Sequence, residues 1–445
     1  MASDSLFPEV TARQPSGEGI LPSQEIRHFI DTGIIRSTRE IADDQIQPAS
    51  IDLRLWNEAY RVRASFLPGK STTLLHKATA NGMLDRKIDL SGPVLLEPNV
   101  VYVIPLMESL ALPADVYGIA NPKSTTGRLD IFTRLITEPG DEFERVRKKY
   151  WGNLYVEVVS RTFPIVVQAG MTLNQLRFGR GKFAAAGDAR LKQLAQEDLL
   201  LDADEDSSGE ANIDRGMRIT VDLQGNGSDI VAYQANKCAP PIDLGKINHY
   251  DTSDFWTPIY KNSKRQTVLV PGGFYILASK QRVRVPPDLA AELLPYDPTT
   301  GEFRVHYAGF FDPGFGYGVQ GEIPGTKAVL EVRANEMPIL LEDDQFVGRL
   351  HYYKMAATPN KVYGGSIGSS YQQQGLALSK QFKREQQYIS GATSSTAAKA
   401  RDSLRTGRCQ SVAETRTTEA DDDDSILKIA FPESSAESRI TAKNR

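Results

Sequence analysis

Six consecutive residues, Lys123, Ser124, Thr125, Thr126, Gly127 and Arg128, put two cations, three hydroxyls and a glycine into one turn directly after Pro122. Hydroxyls and backbone N–H groups gathered in a tight turn line a concave anion site, Gly127 permits close backbone approach, and the fixed charges attract phosphate. The spacing is not the Walker arrangement, because no GxxxxGK[ST] pattern is present and no following helix is expected. The same residues also suit an ordinary solvated hairpin, and the turn alone does not choose between the two. Farther along, HYAGFFDPGFG (306–316) combines glycines and aromatics with Asp312. Such a hairpin can lay backbone along a flat base and sugar and offer a carboxylate to a hydroxyl; a purely structural turn has the same composition. Glutamates interrupt two apolar segments, Glu157 in LYVEVVS and Glu331 in AVLEVRA. A glutamate there points to solvent from the polar face of a strand or, enclosed in a pocket, has its pKa raised by desolvation toward the range useful for proton transfer.

The rest of the chain narrows the chemistry. With 445 residues, 40% hydrophobic and 24% charged, and 52 basic against 56 acidic side chains for a net charge of -4, it reads as a soluble protein of two domains plus tails, with no charge excess suited to a nucleic-acid polymer. MASDSLFPEV has no charged-then-apolar leader, and no run approaches the roughly 18 apolar residues of a membrane helix, so a cytoplasmic location is expected. The two cysteines, Cys238 and Cys409, stand far apart without CxxC or histidine spacing, which argues against a disulfide framework or a zinc site.

These residues are expected to be carried mostly on strands. A short helix is expected first, with Ser23 as N-cap, Ile26, Phe29 and Ile30 on one face and Gly33 at its end. ASIDLRL, VVYVIPL, LYVEVVS and TFPIVVQ are short, β-branched and punctuated by Pro, Gly or Asn, the pattern of a β sandwich or barrel. ARLKQLAQEDLLL (189–201) reads as a helix leading into the acidic linker DADEDSSGEAN, and from about 390 the Ser/Thr/Ala-rich, then acidic sequence predicts a disordered tail.

An internal repeat organises all of this. Pro98, Tyr102, Pro113, Asp115 and Pro122 recur as Pro271, Tyr275, Pro286, Asp288 and Pro295, at an offset of 173. After one inserted residue the offset is 174, matching Pro139 with Pro313, Glu157 with Glu331 and Pro164 with Pro338. The expected fold is therefore mainly β, a tandem duplication of one domain: a first β domain at 20–182, a helix and acidic linker at 183–212, a second β domain at 213–385, and a tail at 390–445. The duplication also supplies an internal control. Where the first copy reads PKSTTGR, the second reads YDPTTGEF, so the cations are gone and carboxylates have taken their place. Only the first copy can hold an anion at that turn.

QPASIDLRL (47–55), LALPADVYGIANPKSTTGRLDIF (110–132), PIVVQAGMTLNQLRF, FFDPGF, AVLEV and YGGSIGSSYQQQGLALSK (363–380) together resemble the dCTP deaminases of the dUTPase-like superfamily, in their two-domain bacterial form, over about residues 20–385. The resemblance implies a distorted β-barrel in each copy with few short helices, and hydrolytic deamination of dCTP to dUTP and ammonia without zinc, with Mg²⁺ bound through the triphosphate. Residue by residue, it gives the phosphate-binding turn to Lys123, Ser124, Thr125, Thr126, Gly127 and Arg128, with Ser124 and Arg128 also catalytic. The proton-shuttling glutamate falls equally on Glu331 and Glu157, the sugar-contacting aspartate on Asp312 (Glu138 in the first copy), and the nucleotide-closing lid on Tyr363, Ser370 and Gln374. Lys123 stands where the family has arginine, and Ser370 where a lysine is usual; lysine lacks the bidentate fork and serine carries no charge.

Single-domain members are trimers with sites between subunits, which suggests one composite site per chain here, the turn of copy one against Asp312, Glu331 and the lid of copy two; the opposite choice, Glu157 as the base within copy one, stays open. The resemblance also brings dTTP as a feedback inhibitor and self-association as expectations. A bifunctional enzyme that continues to dUMP, and a non-catalytic deoxynucleotide sensor, are the alternatives.

Overall fold

The computed structural model describes residues 17–384 apart from 183, 198, 203–210, 226–227, 295–302, 306–308, 335–336 and 365–374. The second copy's YDPTTGEF turn up to residue 302, His306, Ser370, Gln374, most of the acidic linker and the tail thus lie outside the described residues.

The expected strands form, and they pair the same way twice. In the first half, Val101–Ala111 pairs antiparallel with Trp151–Ser160 and with Glu58–Val62, and Trp151–Ser160 pairs in turn with Ile131–Thr137. In the second, Phe274–Val283 pairs with Thr326–Ala334 and Ile230–Ala235, and Thr326–Ala334 pairs with Phe303–Val305. The facing sheets repeat as well. Thr172–Arg180 lies between Val116–Pro122 and Ile51–Arg54, and Phe346–Lys354 between Leu289–Leu293 and Met217–Thr220. Even the register is kept: Glu157 is opposite Val103 and Glu331 opposite Ile276, positions that are themselves repeat partners. One buried tyrosine repeats its bond, the Tyr102 hydroxyl accepting from the Glu97 N–H at 3.1 Å and the Tyr275 hydroxyl from the Val270 N–H at 2.9 Å. Because side chains alternate along a strand, this shared register sends both glutamates to the same face of their sheets.

Three local expectations change. Ser23 opens its helix, Ser23–Asp31, as the first helical residue, and Pro22 occupies the cap without a side-chain bond; Ile26 and Phe29 are buried as expected. Proline suits this start because the first turn has no use for its missing N–H. The helix expected over 189–201 forms as Asp188–Gln196 and so stops short of the expected end. The Lys123–Arg128 stretch is not an open hairpin but one helical turn, Ser124–Gly127, which follows directly on the strand ending at Pro122.

The halves are joined by apolar packing rather than by the linker alone. Ile242–Asp243 of the second half adds a parallel strand to Ile165–Val167 of the first. Phe163 meets Phe255 and Trp256 edge-on at 6.0 and 5.5 Å, and Phe382 joins at 5.4 Å from Phe255. Such aromatic pairs contribute about 0.5–1.5 kcal/mol each beyond area burial and so stabilise the seam between the halves. No helix among the described residues is long and apolar enough to cross a membrane.

Candidate active site

Between the halves lies a cleft of about 710 Å³. The first half lines it with Lys123, Ser124, Thr125, Gly127 and Arg128, and the second with Phe310, Phe311, Asp312, Phe315, Glu331 and Tyr363. The helical turn aims its exposed N-terminal residues into the cleft, while Thr126 is buried and faces a smaller cavity of about 220 Å³ behind it, with Leu129 and Ile131. Of the residues singled out from sequence, Glu157 is not at the cleft.

Glu331 projects from the strand Thr326–Ala334 and is 7% exposed. Its Oε1 lies 4.0 Å from Nε of Arg128, the outer edge of an ion pair and longer than a direct hydrogen bond. Burial pushes its carboxyl up to about 7, with Arg128 pulling the other way. A carboxyl in that range takes and returns protons near neutral pH. Arg128 is anchored by an Nη1 donation to the Ala377 carbonyl at 3.0 Å, and the Ser379 hydroxyl donates to the Thr125 carbonyl at 3.0 Å. The C-terminal segment of the second half therefore straps down the turn of the first.

Asp312 sits at the start of a tight turn in which Phe315 N–H returns to the Asp312 carbonyl at 3.0 Å. Gly314 has φ 94°, and a Cβ there would collide with the Val362 side chain; this close approach lets the Tyr363 N–H reach the Pro313 carbonyl at 2.9 Å. Tyr363 is thereby brought to the cleft wall, where its ring lies 5.5 Å from Phe315. Burial pushes the Asp312 carboxyl above its ordinary range, and Arg177 opposes that shift.

Arg177, which sequence reading passed over, is the first half's answer to Asp312. It is 2% exposed, contacts Asp312 at 3.2 Å, stacks at 4.0 Å over the Phe310 ring and donates to the Ala291 carbonyl at 3.3 Å. Asp52 was passed over too. It accepts from the Lys123 ammonium, which also donates to Thr172 at 2.9 Å, so the lysine's charge is shared with a buried carboxylate. A signal for it existed: the aspartate of SIDLRL recurs in TVDLQG as Asp222, which pairs with Lys327. Lys380 also lines the cleft and carried no signal beyond its place at the end of YGGSIGSSYQQQGLALSK.

Glu157 has a different environment. It is 1% exposed and bound by the guanidinium of Arg134 at 2.6 Å, and Arg134 also donates to the Ser65 hydroxyl at 2.6 Å and stacks 3.6 Å over Phe143. As for metals, the described residues hold no group of three or more His, Cys, Asp or Glu side chains placed to bind an ion. The cleft is lined chiefly by hydroxyls and cations, with Asp44, Asp52, Asp312 and Glu331 as its carboxylates.

Two family models match the chain: the N-terminal domain of 2′-deoxycytidine 5′-triphosphate deaminase over residues 17–182, and its C-terminal domain over 187–382. A solved structure of 2′-deoxycytidine 5′-triphosphate deaminase from Agrobacterium tumefaciens is 44% identical, with a TM-score of 0.71, and the match covers 76% of this chain and 99% of that one. A dCTP deaminase of Shewanella amazonensis is 26% identical over 163 residues, 35% of this chain and 80% of its own. A dUMP-forming dCTP deaminase of Halobacterium salinarum is 30% identical over 110 residues, 24% of this chain and 52% of its own.

Proposed function

This chain belongs to the 2′-deoxycytidine 5′-triphosphate deaminase family, and we propose that it deaminates dCTP hydrolytically to dUTP and ammonia at one composite site per chain. The observation that carries the reading is the meeting of Arg128 from the first half with the buried, high-pKa Glu331 from the second, 4.0 Å apart in the interdomain cleft.

In this reading Glu331 is the proton shuttle. Its carboxylate takes a proton from water as the oxygen attacks C4 of the cytosine, and passes that proton to N3. The C4–OH proton then travels through Glu331 to the exocyclic amine, which leaves as ammonia while C4=O forms, so the carboxylate ends as it began. Ser124 positions the water, and Arg128 stabilises negative charge developing at the attacked ring. Asp312 meets the sugar hydroxyl, Phe310 and Phe311 wall the base, and Tyr363 with the C-terminal segment closes the cleft against bulk water. The triphosphate rests on the N-terminal end of the turn, near Lys123, Thr125 and Lys380; Mg²⁺ carried by it would neutralise its oxygens. Glu157, paired with Arg134, serves the structure of the first half.

A second reading has its own support in the dUMP-forming relative: the enzyme also cleaves dUTP. Incubation of the purified protein with dCTP, CTP and dUTP in the presence of Mg²⁺, with products separated by chromatography, tests both. dUTP with ammonia from dCTP supports deamination alone, dUMP supports the bifunctional reading, and binding of dCTP without ammonia release rejects both.

A further inference from the structure

Next to the Arg128–Glu331 meeting lies a second cross-half pair of reversed sign. Asp130 is fully buried and accepts from Nη2 of Arg333. The same nitrogen contacts the Thr162 hydroxyl at 2.9 Å, and Nη1 donates to the Gly272 carbonyl at 2.7 Å. The Thr162 hydroxyl donates back to Asp130 at 2.6 Å, and the Asp130 carbonyl accepts from the Arg161 N–H at 2.9 Å. Neither partner belongs to the cleft lining.

We infer that the buried Asp130–Arg333 pair is a positioning lock that sets the register of the Glu331 strand against the Arg128 turn, and that it selects which half supplies the turn and which the glutamate. Glu331 and Arg333 are two apart on one strand and so share a face. Arg128 and Asp130 are two apart where the helical turn ends. In the observed register arginine faces glutamate and aspartate faces arginine. A slip of two residues in one direction sets Arg128 against Arg333, and in the other sets Asp130 against Glu331, so both slips bring like charges together in a buried place.

The duplication shows why this lock has a polarity. The repeat partners of Asp130 and Arg333 are Arg304 and Val159. The opposite composite site, with the second half's turn against Glu157, would therefore have no ion pair at this point. The inference deepens the deaminase reading and rests on it for the kinetic consequence, but the lock itself acts on Glu331 whether or not the reaction is deamination.

The test is a double-mutant cycle of Asp130→Asn, Arg333→Gln and the two combined, with three readouts: thermal stability, kcat and KM for dCTP, and the titration midpoint of Glu331 followed by carboxyl ¹³C NMR against a Glu331→Gln reference. Each single variant should lower kcat by roughly tenfold to a hundredfold, the range a misplacement of about 1 Å produces, while KM changes by less than about threefold. The Glu331 midpoint should fall toward the ordinary glutamate range as the strand loosens from its buried seat. The neutral double variant removes the uncompensated charge, so it should regain much of the stability while kcat and the midpoint remain shifted. Recovery of kcat and midpoint together with stability would overturn the lock and leave a simple fold stabiliser; an unshifted midpoint in all three variants would overturn it as well. Should the wild type release no ammonia from dCTP, the deaminase reading falls, and the NMR midpoint still decides for or against the lock.

Discussion

Glu157 and Glu331 are repeat partners on equivalent strands in the same register, yet the molecule has made one a closed structural pair and the other the wall of a cleft. The difference lies in what comes to meet each of them. Around Glu157, the segment between Val62 and Leu84 folds over the first half's own hairpin. Gly69 and Gly140 exchange backbone bonds at 2.8 and 3.0 Å, the Leu74 N–H is donated to Glu138, the counterpart of Asp312, and Ser65 meets Arg134. Around Glu331, the equivalent hairpin receives Val362 and Tyr363 instead, and the opposing cation comes from the other half. An arginine on the neighbouring strand closes a site; an arginine from another half, held 4.0 Å away, leaves a cleft beside it. Repeat partners thus meet different surroundings, a local ion pair around Glu157 and a cleft between the halves around Glu331.

Exchanging each glutamate for glutamine separates the two environments most strongly. Glu331→Gln should lower deamination about 10²–10⁴-fold, the usual contribution of a general acid–base group, with nucleotide binding retained in calorimetry. An active Glu331→Gln together with an inactive Glu157→Gln would reverse the assignment. The next largest effect belongs to the cross-half support of Asp312: Arg177→Met leaves a buried carboxylate uncompensated and should cost about 3–5 kcal/mol in chemical unfolding, with a raised KM for dCTP.

The pH behaviour separates the two glutamates further. Because burial raises the Glu331 carboxyl to about 7 from an ordinary 4.5, its base form is lost as pH falls through about 7, and kcat should fall with it. Stability has the opposite sign: ionising this buried group costs the folded state nothing below about 4.5 and progressively more up to about 7. Glu331→Gln should therefore melt higher than the wild type at alkaline pH and no differently in acid. The smallest effect on turnover is expected for Glu157→Gln, with kcat within about twofold of wild type and a stability loss of about 1–3 kcal/mol from the weakened Arg134 bond, read by thermal melts.

Much of the fold was legible because strand periodicity and repeat spacing are local or register-keeping signals: SIDLRL, LYVEVVS and AVLEVRA all became strands, and one offset paired Glu157 with Glu331. The loss of cations from the second copy's turn pointed to a composite site, and the cleft does gather Lys123, Ser124 and Arg128 with Asp312, Glu331 and Tyr363. Other residues gave little or no sign. Arg177 reads as one more exposed arginine in NQLRFG until the second half covers it. Thr126 shares a hydroxyl with its neighbours, but the helical turn rotates it away from the cleft, which an expected hairpin could not reveal.

Residue order alone shows two copies of one β-rich domain, a cationic turn in the first copy only, and one strand glutamate in each copy. Those are properties of spacing and residue type. Which glutamate faces Arg128 is visible only in three dimensions, because repeat partners have similar local patterns and differ in what distant segments bring against them. Desolvation and charge pairing depend on those distant neighbours: they pair Glu157 with Arg134, and burial pushes the Glu331 carboxyl up to about 7.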